Sequence, residues 1–398
     1  MRIAFITNEF TTEKSTAGGL GTYLNRVTRL LRDRGHTPEV FVASTHRDEI
    51  TVVNGVMVHS VKIITTDCFM YKAVNWLFVR LLGELWSGPA GYLNNAWHLS
   101  RAFHARERQV GFDMVQSTNC GCSGLLIKKK AGRPHVMRLS SKRDLWFECD
   151  GKKGLGFSSM CFLEKLSARR ADSVYAPSRF IARECTQKWL VKTGLLRPPV
   201  FIETQPAQDT SCDLPDRFMI HFGTFAARKG SLVLARALKI VWQQAPDFRM
   251  VWCGSFVDSE TRDACISLFG NQASQITLTG ALEKAVLYGI IKKAAASVLP
   301  SLADNFPNTV IESLVLGIPV IGTYESSIDE LVQDRVTGLL VAKGCEHALA
   351  EAILAVWNKR VVFEANDLHK HGAALSAQQE DAIDKLVRLQ FLSVNGGS

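Results

Sequence analysis

Short apolar runs alternate with longer stretches of helical periodicity along most of the chain. Residues 2–7, Arg-Ile-Ala-Phe-Ile-Thr, predict a buried parallel strand. A polar loop over 8–17 and the run Gly18-Gly19-Leu20-Gly21 follow. A helix is predicted over about 22–34, with Leu24, Val27, Leu30 and Leu31 on one face. Gly35 ends it, and 39–43 is a second strand, so the chain opens as a βαβ unit with a glycine turn at its first strand-to-helix junction. Glycine there either supplies a positive φ or lets the backbone approach a ligand closely. Residues 56–61 alternate like a strand, and 113–117, 135–139 and 172–176 each predict a short buried one, with helical patterns between and a last helix over 179–190. Lys128-Lys129-Lys130 reads as a solvated helix end, and 141–159 as a charged, glycine-containing loop.

Residues 194–215, with Pro198, Pro199, Pro206 and Pro215, read as a linker whose only strand-like piece is 200–203. The alternation then restarts, with strands at 218–222, 248–252, 275–278, 297–299 and 320–321 and the clearest helix over 231–244. Such alternation in both halves predicts an α/β chain of two parallel, doubly wound, Rossmann-like sheets. These sheets bind ligands at the carboxyl ends of their strands, so two facing each other make a cleft. The boundaries fall at 1–200 and 201–375, with a helix and tail over 376–398 expected to pack back on the first domain.

The chain has 398 residues, 46% of them hydrophobic and 21% charged, which suits two globular cores and excludes a disordered chain. The ten cysteines include no C-x-x-C pair, and Cys120-Gly121-Cys122 is poorly spaced for zinc, so free thiols in a reducing compartment are expected. MRIAFITNEF leads straight into a strand, without the basic leader and apolar core of a signal peptide. The nearest approach to a membrane span, 76–86, is broken by Arg80 and Glu84. A cytoplasmic location is expected.

Charge is uneven. Residues 1–200 hold 30 Lys and Arg against 16 Asp and Glu, and the remainder 17 against 22. Within the basic half, 69–109 mixes Phe69, Tyr71, Trp76, Phe78, Trp86, Tyr92, Trp97 and Phe103 with Arg80, Arg101, Arg106 and Arg108. Amphipathic helices packed on the sheet account for this composition. The sharper reading is a peripheral contact with an anionic membrane surface or a lipid-linked acceptor. Nucleic acid is not expected as a partner, because no binding motif accompanies the charge.

Candidate chemistry gathers at 300–321, PSLADNFPNTVIESLVLGIPVI. A strand ends at Pro300, a polar loop follows, and a helix opens near Asn308 and closes at Gly317 and Pro319. That shape presents amides and a positive helix terminus to an anion. Asp304 and Glu312 bracket the helix start. Thr309-Val310-Ile311-Glu312 also fits a capping box, which would explain Glu312 without a ligand but not Asp304. A second loop, His221 to Gly230 (HFGTFAARKG), sets Arg228 and Lys229 before a helix expected at about Gly230. No Asp-x-Asp motif or metal-spaced cluster is present, so no metal is expected, and no nucleophile or Walker motif appears.

DNFPNTVIESLVLGIPVI resembles the signature of retaining GT-B glycosyltransferases marked by an E-x7-E pair, glycosyltransferase family 4. GGLGTYLNRVTRLLRDRGHTPEVF, ADSVYAPSRF and SSIDELVQDRVTGLLV resemble further segments of that family, so the likeness runs along nearly the whole chain. The resemblance implies an acceptor-binding first domain and a nucleotide-sugar-binding second one. It implies that Glu312 holds the nucleotide ribose and Asp304 contacts the transferred sugar. Asn305, Phe306, Pro307, Asn308 and Thr309 would line the sugar and diphosphate. Lys229 would bind the diphosphate, with Arg228, Gly223 and Thr224 beside it, and Gly18 and Gly19 would let the first domain close over it. The donor would be UDP- or GDP-linked, with no separate cofactor, and the acceptor a glycan or lipid-linked hydroxyl. The leaving phosphate would take the acceptor's proton, so that no protein nucleophile is needed.

Three positions depart from the family pattern. Asp304 stands where the first Glu does, Thr224 where an Arg follows the glycine, and Ser140 where many members carry a histidine. These departures leave open a second reading, a catalytically weak protein that binds a nucleotide sugar or glycan.

Overall fold

The computed structural model describes residues 1–10, 18–65, 72, 76, 79–81, 83, 89–200, 202, 213–377 and 379–392. The loop over 11–17, half of the linker (201 and 203–212), the tail over 393–398, and Phe69, Tyr71, Phe78 and Trp86 of the expected aromatic surface lie outside the described residues. The chain divides into two units, Met1–Pro199 with Gln379–Ser398, and Val200–Gln378.

The first unit runs β1 (Arg2–Thr7), α1 (Gly19–Asp33), β2 (Thr37–Ser44), β3 (Glu49–Val53), β4 (Val56–Lys62), α2 (Ala90–Val110), β5 (Met114–Thr118), β6 (His135–Arg138), α3 (Arg143–Cys149), α4 (Leu155–Arg170), β7 (Ser173–Ala176), α5 (Arg179–Trp189) and β8 (Thr193–Leu195). Its sheet order is β3-β4-β2-β1-β5-β6-β7-β8. Every pairing is parallel except β3 on β4. Strand β1 is continuously apolar because both of its faces are covered. Ile3 and Phe5 meet Leu24, Val27 and Leu31 of α1 on one face, while Ala4 and Ile6 meet Leu99 and Phe103 of α2 on the other. The C-terminal helix, Gln379–Leu392, adds Ile383 and Leu386 to the α1 side of this core.

Several expectations change here. Helix α1 starts at Gly19 rather than near Thr22, so the glycine run is its first turn. None of its glycines has a positive φ, and Gly18 sits at −75°. A Cβ at Gly18 would lie 2.9 Å from Glu9 Oε1, the far end of a flexible side chain that can move aside. Strand β3 is not among the predicted elements, although Asn54-Gly55 marks its hairpin, with φ of 50° and 75° as such a two-residue turn requires. Lys128–Lys130 is no helix end; it leads into a short bridge between Lys130 and Arg133. Most of 141–159 is helical, in α3 and α4, which leaves a short loop between them. Gly194 and Leu195 belong to β8, an edge strand, rather than to the linker.

The second unit runs β9 (Met219–Phe225), α6 (Ser231–Gln244), β10 (Met250–Phe256), α7 (Ser259–Phe269), β11 (Ile276–Gly280), α8 (Lys284–Lys293), β12 (Ser297–Val298), α9 (Asn308–Val315), β13 (Val320–Thr323), β14 (Gly338–Val341), α10 (Glu346–Trp357) and α11 (Ala365–Ala377). Its six strands are all parallel, in the order β11-β10-β9-β12-β13-β14. Met219, Met250 and Trp252 pack with α6 and α10 on one face, and Ile220, Val251 and Val320 with α8 and α9 on the other. Strand β14 is a further element absent from the sequence reading. Its Gly338 lies so close to β13 that a Cβ would stand 2.0 Å from the Val320 carbonyl oxygen. Eight cysteines of the described residues are free thiols, and no helix among those residues is long and apolar enough to cross a membrane.

Candidate active site

The strand order of the second unit reverses at β9, which pairs with β10 on one side and β12 on the other. Loops leaving adjacent strands at such a switch point line the usual ligand crevice of a doubly wound sheet. After β9 the chain makes a 3-10 turn over Ala227–Lys229, then Gly230 at φ 75° turns it into α6. After β12 it runs through Pro300 to Pro307 into α9.

The two loops are seamed together. The amides of Leu302 and Ala303 donate to the Arg228 carbonyl at 2.8 and 3.3 Å. A Cβ at Gly230 would meet the Pro300 carbonyl oxygen at 1.9 Å. This seam sets Lys229 against Asp304, whose carboxylate accepts the ammonium in an ion pair. Asp304 Oδ1 also accepts the Asn305 amide at 2.9 Å, and Oδ2 the Ser301 hydroxyl at 3.3 Å. The Lys229 side chain stays 22% exposed and that of Asp304 11%, so solvent reaches the pair. Gly223, at φ 112°, lies where a Cβ would come within 3.2 Å of the Thr309 methyl, which brings the end of β9 against the start of α9. Thr224 is exposed, Asn305, Asn308 and Thr309 half-buried, and Phe306 and Pro307 buried, with the Phe306 ring in the core.

The expected capping box does not form. Pro307 takes the N-cap position, α9 begins at Asn308, and no side chain caps its first turn. Glu312 therefore sits one turn inside the helix. Its Oε1 accepts the Tyr288 hydroxyl at 3.2 Å and lies 4.0 Å from Lys284 Nζ, both on α8. Tyr288 and Lys284 carry no signal in the sequence. They are 24 and 28 positions from Glu312, and only the packing of α8 beside α9 brings them to it.

His221 belongs to the loop motif, where the sequence gives it no role. It is buried, its Nδ1 donates to the Val298 carbonyl at 2.7 Å, and so it ties β9 to β12 beneath the site. Burial holds its pKa down to about 4, below the ordinary value of 6.5. A histidine that is harder to protonate when folded lets the unfolded chain bind the extra proton between those two values. Its contribution to stability is thus intact above pH 6.5 and lost as pH falls toward 4, by up to about 3 kcal/mol at 1.36 kcal/mol per pKa unit. Urea midpoints of the second unit, followed by hydrogen exchange of β9 amides across that range, should fall accordingly. A flat profile would remove this linkage.

In the first unit Gly18 and Gly19 open α1, and the Gly21 amide lies 3.4 Å from Glu9 Oε1. Glu9, another residue that the sequence does not single out, thus places a carboxylate at the N-terminus of α1, where the helix dipole favours an anion. Ser140 follows β6. Its amide donates to Asn119 Oδ1 at 2.8 Å, and its hydroxyl oxygen accepts Thr118 Oγ1 at 2.7 Å and Arg138 Nη1 at 2.9 Å. Among the described residues no group of three or more His, Cys, Asp or Glu is placed to hold a metal ion.

Residues 216–359 match the family model for glycosyl transferases group 1, and residues 18–197 match that for the glycosyl transferase 4-like domain. These matches take in every strand of both sheets except β1, and each sheet has its own switch point. The chain belongs to the GT-B glycosyltransferases. This glycosyltransferase is 24% identical over 271 residues to the uncharacterized glycosyltransferase MJ1178 of Methanocaldococcus jannaschii, covering 67% of this chain and 71% of that protein. Among solved structures it resembles sucrose-phosphate synthase from Thermosynechococcus elongatus, with a TM-score of 0.75, 18% identity, and coverage of 98% of this chain and 99% of that one. It also resembles Anabaena Alr3699/HepE in complex with UDP and glucose, with a TM-score of 0.70, 14% identity and the same coverage. At these identities the structural likeness establishes the GT-B fold of the glycosyltransferase.

Proposed function

We propose that this glycosyltransferase moves a hexose from a UDP- or GDP-linked donor to a hydroxyl of a glycan or lipid-linked acceptor, with retention of configuration, in polysaccharide or glycoconjugate synthesis. The observation that carries the reading is the solvent-reached Lys229–Asp304 pair beside the uncapped N-terminus of α9. Unfilled amides and an ammonium together suit a diphosphate. The donor's diphosphate would replace Asp304 as the counter-ion of Lys229, with Arg228 adding charge. Asp304 would then be released to accept hydroxyls of the transferred sugar. Glu312, held by Tyr288 and Lys284, would accept the ribose hydroxyls. Gly223, Thr224 and the backbone from Asn305 to Thr309 would line the space between, the glycine because it leaves room beside Thr309.

In the transfer step, the bond from the sugar's anomeric carbon to the diphosphate oxygen breaks, and the bond to the acceptor oxygen forms on the same face. The acceptor's proton passes to the departing phosphate. Lys229 supports the charge that develops there. The complex of HepE with UDP and glucose is in keeping with a donor of this class.

Thermal melting of the full chain with UDP-, GDP-, ADP- and CMP-sugars tests the donor. A ligand at about 100 times its dissociation constant should add about 2.7 kcal/mol of stability. That shift should vanish in Glu312→Ala for the nucleotide that works in the wild type. Shifts of equal size in both proteins would remove Glu312 from the ribose site. Retention is read from the anomeric signal of the product by NMR, and an inverted product would overturn the mechanism.

A further inference from the structure

Helix α4 is buried on one side only. Glu164, Ser167 and Ala168 are buried, whereas Leu155 is 60%, Phe162 62% and Leu166 37% exposed. At 3.6 residues per turn, the positions of these three fall within an arc of about 40°, on the side of the helix opposite Glu164. Exposed apolar residues scattered singly are ordinary, but a row aligned along about three turns marks a contact surface. Helix α2 packs with α4, since Tyr92 and Ala96 share an apolar cluster with Met160 and Leu163, and it leaves Trp97 exposed.

Positive charge follows the same row. Arg169 and Arg170 are exposed at the end of α4, Lys165 is half-buried next to Leu166, and Lys152 and Lys153 are exposed in the loop ahead of the helix. Glu164 is the one acid within α4, and its carboxylate lies on the buried side, where Oε2 accepts the Asn119 side-chain amide at 3.1 Å. Glu148 and Asp150 are exposed before the loop, which leaves five cations against two exposed carboxylates over 148–170.

We propose that the exposed face of α4 docks on an anionic lipid bilayer. Leu155, Phe162 and Leu166 would enter the boundary between headgroups and acyl chains, and the flanking cations would meet lipid phosphates. The docking does not depend on the donor and acceptor reading above, and it centres the contact on α4 rather than on the segment 69–109. Lysine and arginine beside an apolar row suit a helix lying in such a surface, because their stems run along the apolar boundary while their charged ends reach the headgroups. The excess of basic residues over 1–200, 30 against 16 acidic ones, would draw the first unit toward the same surface. A second copy of the chain suits the face less well. Stacking α4 on α4 would desolvate these cations with no carboxylate on the exposed side of either helix to pair with them.

Sedimentation of the full chain with vesicles of phosphatidylcholine, and with vesicles of equal parts phosphatidylcholine and phosphatidylglycerol, reads the docking. The mixed vesicles should bind at least about tenfold more tightly, and added salt should shrink that preference. Phe162→Ser, at an exposed position, should melt as the wild type does and weaken binding to mixed vesicles by about tenfold, from the loss of one aromatic side chain's burial. Lys165→Gln combined with Arg170→Gln should weaken it by about thirtyfold, at about fivefold for each cation near an anionic surface. No binding to mixed vesicles, equal binding to both kinds, or binding unchanged by either Phe162→Ser or the paired substitution overturns the proposal. Trp97→Ser is the comparison on α2: a loss confined to that variant would place the contact there and overturn it as well. So would a dimer in lipid-free light scattering that Phe162→Ser dissociates, because the row would then belong to a second copy. Sedimentation needs no turnover, so the outcome is independent of whether and which sugar is transferred.

Discussion

Lys229→Ala is expected to lower kcat/KM for sugar transfer by about 10²–10³, the loss of about 2.7–4 kcal/mol of barrier reduction that follows removal of one preorganised donor to developing charge. The lysine is aimed by backbone rather than by its own rotamer alone. The Leu302 and Ala303 amides hold the Arg228 carbonyl, which fixes the residue before it against the loop carrying Asp304. The loss should fall on kcat as well as on KM, since the charge on the diphosphate grows as the sugar leaves. Folding should survive, because both members of the pair reach solvent and Asp304 keeps its bonds from Asn305 and Ser301. Steady-state assays of released nucleotide, run beside urea unfolding, check both halves. Activity within a factor of a few of the wild type would remove Lys229 from the diphosphate site.

Gly230→Ala should do something different: destabilise the second unit by about 2–5 kcal/mol. The αL backbone costs a residue with a Cβ about 1–2 kcal/mol, and forcing atoms into a packed site typically costs about 1–3 more. The first cost follows from φ 75°, and the second from the Pro300 carbonyl oxygen 1.9 Å from the new Cβ. Gly280→Ala separates them. Gly280 has φ 71°, but nothing lies within 4 Å of its Cβ position. Its loss should stay near the backbone cost alone, about 1–2 kcal/mol. Urea midpoints of the two variants measure the difference. Equal losses would mean that the Gly230–Pro300 seam yields readily, and the seam would then no longer explain how Lys229 meets Asp304.

Much of this architecture can be read along the chain, because a parallel strand buried on both faces writes itself as an uninterrupted apolar run. Residues 2–7 predict β1 to the residue, and 231–244 predict α6. Strands such as β14 and β8, four and three residues long, carry too little apolar pattern to stand out from loops. The hairpin at Asn54-Gly55 does have its signal, but the stronger alternation of β4 beside it hides the short strand before the turn. The segment 141–159 reads as a loop because its charges and glycines mask two helices whose formation depends on what they pack against.

The sequence by itself determined the class of the protein: α/β, two doubly wound units, and a strand–loop–helix carrying Asp304 and Glu312 in the second. Local spacing suffices for that, since period and turn residues act over a few positions. Which atoms meet was decided only by tertiary structure. Lys229 and Asp304 are 75 positions apart, and they pair because β9 and β12 are neighbours at a switch point. Thr309 and Glu312 look like a capping box until Pro307 takes the N-cap position ahead of the threonine, leaving the first turn of α9 without a side-chain cap, and α8 supplies Tyr288 and Lys284 to the carboxylate. Gly230 reads as a turn residue, and its strictest demand comes from the carbonyl of Pro300, far along the chain. Contacts of that kind follow from strand order, and strand order has no local signature.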